Sequence, residues 1–141
     1  LSKQRFGQNE RSIFTFLNSG EPNGLLHFLK NSNSKKENFY TLDKLFDYLQ
    51  INLEPSILVS NIGHAWAEAT EAIRRAEVTD DSNSIKIAKA IAMVDLFGKN
   101  ISLFSSKEIL INILDKEKVD IVNTLAALEN KKIIIYRKFK K

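Results

Sequence analysis

The chain of 141 residues has no cysteine, only five glycines and two prolines, a single methionine and a single tryptophan. Without cysteine there can be no disulfide, no thiolate metal site and no cysteine nucleophile, and a reducing compartment is the natural setting. The glycines stand apart, as Gly7, Gly20, Gly24, Gly63 and Gly98, and no GxxxxGK[ST] run occurs. The sequence therefore holds no phosphate-cradling loop, and nucleotide hydrolysis by this chain alone is not expected. No apolar stretch approaches the ~20 residues of a membrane span, and no signal peptide is visible, so a cytoplasmic protein with no membrane partner is expected. Serine never sits in a GxSxG elbow, and Asp80-Asp81 reads as a solvated loop rather than a catalytic acid pair. The two histidines, His27 and His64, are distant in sequence, with no His/Asp/Glu cluster at ligand spacing, so no metal site is expected. Internal repeats, heptads and low-complexity tracts are also missing.

What is present suits a core. Apolar residues make up 43% of the chain and charged ones 27%, a globular balance for one domain or two small ones. The net charge of +4 is local: Lys131, Lys132, Arg137, Lys138, Lys140 and Lys141 include no acid among them, and the remainder holds 15 basic and 17 acidic residues. Only the end of the chain is basic.

Periodicity predicts helices throughout. After a lead-in at Leu1–Gln8, Asn9 can cap a helix over Glu10–Asn18, with Glu10 complementing its dipole and Ser19-Gly20-Glu21-Pro22 closing it. Arg11 is held at the start of that helix, where a guanidinium could reach a phosphate or an acid. A short helix over Gly24–Lys30 and a polar loop over Asn31–Asn38 follow. Thr41 can cap a helix over Leu42–Leu53, and Pro55 reads as the first-turn proline of a long helix over Ser56–Glu77, with Gly63 a weak point inside it. Asp80–Ser84 is the expected boundary between a helical subdomain at 1–80 and a second subdomain at 84–141.

The second subdomain reads as a helix over Ser84–Phe97, a helix opened by a Ser105/Glu108 capping box and ending near Leu114, and a helix over Val119–Asn130. A β-strand is expected over Ile133–Arg137. That order is a helix-turn-helix with the first strand of a wing. The expected fold is thus mainly α, a helical subdomain followed by a winged-helix-like one. On the would-be recognition helix only Asn123 suits base reading, while Asp120, and Asp115 and Glu117 before it, would repel phosphates. The basic end from Lys131 to Lys141 would give salt-sensitive, sequence-independent attraction to nucleic acid.

The run QNERSIFTFLNSGEP, followed in order by YTLDKLFDYL, AWAEATEAI, IAKAIAMVDLFG and IIIYRKF, resembles a region of large bacterial P-loop ATPases (AAA+/STAND-like), of the kind met in anti-phage and related multidomain systems. There it lies just after the nucleotide-binding core. The resemblance covers most of the chain and implies a non-catalytic helical and winged-helix piece of a larger ATPase. Beginning with Leu1 rather than Met fits such a piece. Asn9, Glu10 and Arg11 would then sense nucleotide, ATP and Mg would be held by the parent's core, and this chain would carry no cofactor of its own. The expected partners are that core, other proteins or a second copy of the chain, and non-specific nucleic acid at the basic end.

Overall fold

The computed structural model describes residues 13–32, 39–98, 102–114 and 118–135. Seven helices occupy them: α1 (Ile13–Asn18), α2 (Leu25–Asn31), α3 (Leu42–Leu58), α4 (Gly63–Glu77), α5 (Ser82–Phe97), α6 (Lys107–Leu114) and α7 (Lys118–Asn130). The chain divides into two compact units, residues 1–66 and 67–141, and the division falls inside α4.

The first unit is held by aromatic rings. Phe16 meets Tyr40 and Tyr48 edge-on, with centroids 5.3 and 5.1 Å away, and Tyr40 meets Phe28 the same way at 5.4 Å. Such edge-to-face pairs add about 0.5–1.5 kcal/mol each beyond the area they bury. Asn23, in the left-handed region at φ 64°, turns its carbonyl to accept from the Tyr40 hydroxyl. Burial pushes the Tyr40 phenol up from its ordinary pKa, and the charges of Asp47 and Asp43 push the same way. Phe46, Leu49, Leu53 and Ile57 bury the inner stripe of α3 at helical spacing. Phe46 stacks on Trp66 at 4.8 Å, and Trp66 Nε1 donates to Glu54 Oε1 at 3.2 Å. Both rings are fully buried.

Two expectations about this unit are corrected. The helix over Leu42–Leu53 does not stop before Pro55; α3 runs through the proline to Leu58. Pro55 costs the backbone one hydrogen bond, to the carbonyl of Ile51, and Ile51 is exposed. On the inner side Leu53 and Ile57 carry the buried stripe across the proline. The break comes later. Ser60 stops the helix, its hydroxyl donating to the Ile57 carbonyl at 2.6 Å and accepting from the Ile62 amide at 3.3 Å. Gly63 then begins α4 rather than lying inside a longer helix. A Cβ there would stand 2.0 Å from the Leu58 carbonyl oxygen, so only glycine allows the chain to turn this tightly.

In the second unit α5 packs against α6 and α7, and α6 against α7. Ile87, Ala88, Ala90, Ala92, Met93 and Val94 are all buried on α5, more than one face of it, as suits the central helix of such a group. Leu110 and Leu114 of α6 and Ile121 and Leu128 of α7 complete that core. Asp81 caps α5: its carboxylate accepts from the Asn83 and Ser84 amides, both at 3.1 Å, and from the Ser84 hydroxyl at 2.6 Å. These bonds, the Ser84 hydroxyl first, hold the Asp81 pKa below its ordinary value; Lys131 adds to the effect and desolvation opposes it. The cap of α6 is Ser106, whose hydroxyl accepts from the Ile109 amide at 3.3 Å, one residue later than the expected Ser105. Ser105 instead donates to Asp95 Oδ1 at 2.8 Å.

The mainly α class holds, but there is no β-strand among the described residues, so the wing is not formed there. Lys132 adopts the left-handed region at φ 56°. Its amide donates to the Glu129 carbonyl at 2.9 Å, and the Ile133 amide reaches back to the Leu128 carbonyl at 3.0 Å. This is a Schellman closure, normally made by glycine. It folds Ile133 and Ile134 back over the end of α7 rather than letting them extend, so their β-branched preference is overridden by the helix cap. Tyr136 and Arg137, the rest of the expected strand, lie outside the described residues.

Candidate functional site

The nucleotide-sensing candidates Asn9, Glu10 and Arg11 lie outside the described residues, as do Arg137, Lys138, Lys140 and Lys141. Of the nucleic-acid candidates, Asn123, Lys131 and Lys132 are described, and all three are exposed. They do not form one basic surface. Asn123 lies two turns before Lys131, about 12 Å along the helix axis. Asp120 and Glu129 are exposed on the same helix. Lys131 lies near enough to the Asp81 cap for its charge to favour the ionised carboxylate. Asn130 and Asn123 can hydrogen-bond to a phosphate or base, but the acids around them weaken any duplex contact.

His27 and His64 are both exposed, and among the described residues no group of three or more metal-ligating side chains comes together. Among those residues, too, no helix is long and apolar enough to cross a membrane. One buried polar atom stands out. The Tyr48 hydroxyl has no hydrogen-bond partner among the described residues, although the side chain is only 1% exposed.

The feature that sequence reasoning missed is the outer side of α3. Ile51, Pro55, Leu58 and Val59 follow one another at i, i+4, i+7 and i+8, and all four are exposed. That spacing places them on one face. Ile51 is 63% exposed and Val59 84%. The opposite face carries the buried Leu49, Leu53 and Ile57. This half of α3 therefore carries two apolar stripes on opposite sides, with Gln50 and Glu54 along one seam between them and Asn52 and Ser56 along the other. It is also nearly free of charge. From Gln50 to Trp66 the only charged residue is Glu54, in a chain that is 27% charged overall, and its carboxylate accepts from the Trp66 indole. The signal was present in the sequence as two apolar stripes on one helix. Ending the helix before Pro55 split the outer stripe and assigned Leu58 to the core of the next helix.

No family profile, no curated protein and no solved structure matches this chain.

Proposed function

We propose that this chain is a non-catalytic regulatory and interaction region of a bacterial P-loop ATPase, coupling nucleotide state to partner binding in the cytoplasm. The observation that carries the interaction part is the uncharged, exposed apolar face of α3, since depletion of charge over an apolar patch is what the centre of a protein interface requires. The ATPase part rests on the resemblance of QNERSIFTFLNSGEP and the segments that follow it. A chain with no GxxxxGK[ST] run would contribute positioning and sensing, not hydrolysis, and would depend on the parent's core to hold ATP and Mg. Arg11 is the residue assigned to the phosphate end. In the whole ATP-hydrolysing protein, Arg11→Ala is expected to lower the hydrolysis rate by about tenfold or more, as removal of a phosphate-contacting arginine does. An unchanged rate together with unchanged nucleotide affinity sinks the coupling role.

A second reading is favoured by the mutual packing of α5, α6 and α7 and by the exposed Lys131 and Lys132 leading into the basic end. In it the second unit is a helical module that holds nucleic acid without reading its sequence. A titration of duplex DNA against salt separates the two. Affinity falling linearly in log–log form supports this reading, and no binding even at low salt removes it.

A further inference from the structure

We infer that Asn23-Gly24 is a site of spontaneous modification, deamidation through a cyclic imide, and that the fold holds it closed with a turn latched by the Tyr40 hydroxyl. The inference is independent of the function proposed above. Its chemistry is set by the sequence, since Asn23-Gly24 is the one asparagine–glycine pair in the chain. In such a pair the glycine nitrogen gives its proton to a solvent base and attacks the asparagine Cγ. The Gly24 N to Asn23 Cγ bond forms, the Cγ–Nδ2 bond breaks, and Nδ2 takes up a proton and leaves as ammonia. Water then adds to either carbonyl of the five-membered imide and opens it, leaving an aspartyl or an isoaspartyl residue. Water is the only co-reactant. Glycine favours the attack because it has no Cβ to crowd the closing ring.

The structure opposes that closure. Glu21-Pro22-Asn23-Gly24 is a β-turn in which the Gly24 amide donates to the Glu21 carbonyl at 2.9 Å. Pro22 in its second position and Asn23 at φ 64° in its third make it type II. The Tyr40 hydroxyl donates to the Asn23 carbonyl. Imide formation requires the Gly24 nitrogen to swing about the Asn23 Cα–C bond until it eclipses Cβ, far from the ψ of about 0° that this turn position holds. That nitrogen and the Asn23 carbonyl oxygen belong to one rigid peptide plane. A single rotation therefore breaks both hydrogen bonds. Tyr40 is fixed edge-on between Phe16 and Phe28, so its hydroxyl does not follow the carbonyl. Gly24 is also buried, with so little room that a Cβ would stand 2.5 Å from the Ser19 carbonyl oxygen. An isoaspartyl product routes the main chain through Cβ and lengthens it by one atom. It cannot rebuild this turn, so the modification, once made, releases the Tyr40 latch for good.

The test is mass spectrometry of the full chain aged at mildly alkaline pH, with and without denaturant. The tryptic peptide of residues 12–30 carries the site, and fragmentation separates Asn23 from Asn18. Deamidation at Asn23 should be slower in the folded chain than in denaturant by at least about tenfold, as opening two hydrogen bonds together requires. Tyr40→Phe keeps the ring and removes the latch. It should speed deamidation of the folded chain about fivefold, the effect of losing one internal hydrogen bond, and leave the rate in denaturant unchanged. Tyr48→Phe is the control. Its ring also meets Phe16 edge-on, but its hydroxyl has no hydrogen-bond partner among the described residues. That variant should match the parent. Equal rates in the folded and unfolded chain, no acceleration by Tyr40→Phe, or the same acceleration by Tyr48→Phe overturns the inference.

Discussion

Helices α3 and α4 are neighbours in sequence and similar in length, 17 and 15 residues, yet they solve their outer faces in opposite ways. The exposed side of α4 carries Glu68, Glu71, Arg74, Arg75 and Glu77, and Glu71 pairs with Arg74 at 3.0 Å and Arg75 at 3.4 Å. The exposed side of α3 in its second half carries Ile51, Pro55, Leu58 and Val59. One outer face is built for water and the other is not. Local propensity accounts for both helices, but only the first is a finished surface as it stands. The difference is the observation on which the proposed interaction role rests.

The contrast can be broken or sharpened in several ways. The largest effect should come from Trp66→Ala. The ring is fully buried, stacked on Phe46 and bonded to Glu54, so its loss should cost about 3–5 kcal/mol. Denaturant unfolding followed by circular dichroism measures it, and a loss under ~1 kcal/mol would mean that this ring does not anchor the inner face of α3. Next comes Gly63→Ala. The new methyl would meet the Leu58 carbonyl at 2.0 Å, and forcing the turn open should cost about 2 kcal/mol. The same substitution at an ordinary helix position would stabilise, so the sign of the measured change decides whether Gly63 separates two helices or lies within one.

The exit from α4 gives a smaller effect with a pH signature. Asp80 turns the chain at φ 51°, and Asp81 then caps α5. Asp81→Ala should cost about 1 kcal/mol near neutral pH. The Asp81 pKa is lower in the folded chain than the ordinary 3.8, so folding favours the ionised form. Its contribution is therefore complete above 3.8 and is lost as the pH falls below that value toward the folded pKa. The variant and the parent should converge in stability in acid, and a gap that persists there would show that the cap acts through shape rather than charge. The smallest effect belongs to the outer face of α4. Both pairs of Glu71 are exposed, so Glu71→Ala should change stability by less than about 0.5 kcal/mol. A larger loss would mean that the charged face of α4 has a structural partner of its own.

Much of the helical reading was legible because apolar spacing is a local property. The inner stripe of α3, the ends of α2 and α5 to within two residues, and the short connection between α6 and α7 all follow from residues a few positions apart. The errors have one physical cause. Pro55, Ser105 and Ile133 each have a strong local preference, and each is overruled by a contact made elsewhere in the chain, from two to ten residues away. Leu53 and Ile57 carry the helix past the proline. Asp95 takes Ser105, leaving Ser106 to cap. The carbonyl of Leu128 takes the Ile133 amide, so the residues expected to extend fold back instead. Of the candidate site residues, Asn123, Lys131 and Lys132 are on the surface, as their polarity implies, but sequence could not show that Asp81 lies near Lys131.

By itself the sequence determined the absence of thiol chemistry and of a phosphate-binding loop, the dominance of helix, and the confinement of excess positive charge to the last residues. Those are properties of composition and short-range spacing, and no packing can alter them. The tertiary structure alone decided which of two apolar stripes on α3 is covered. Both stripes have helical spacing and similar hydrophobicity, and burial goes to the one that faces Phe16, Trp66 and the rest of the first unit's core. The other is left exposed because one helix can turn only one side to its own domain.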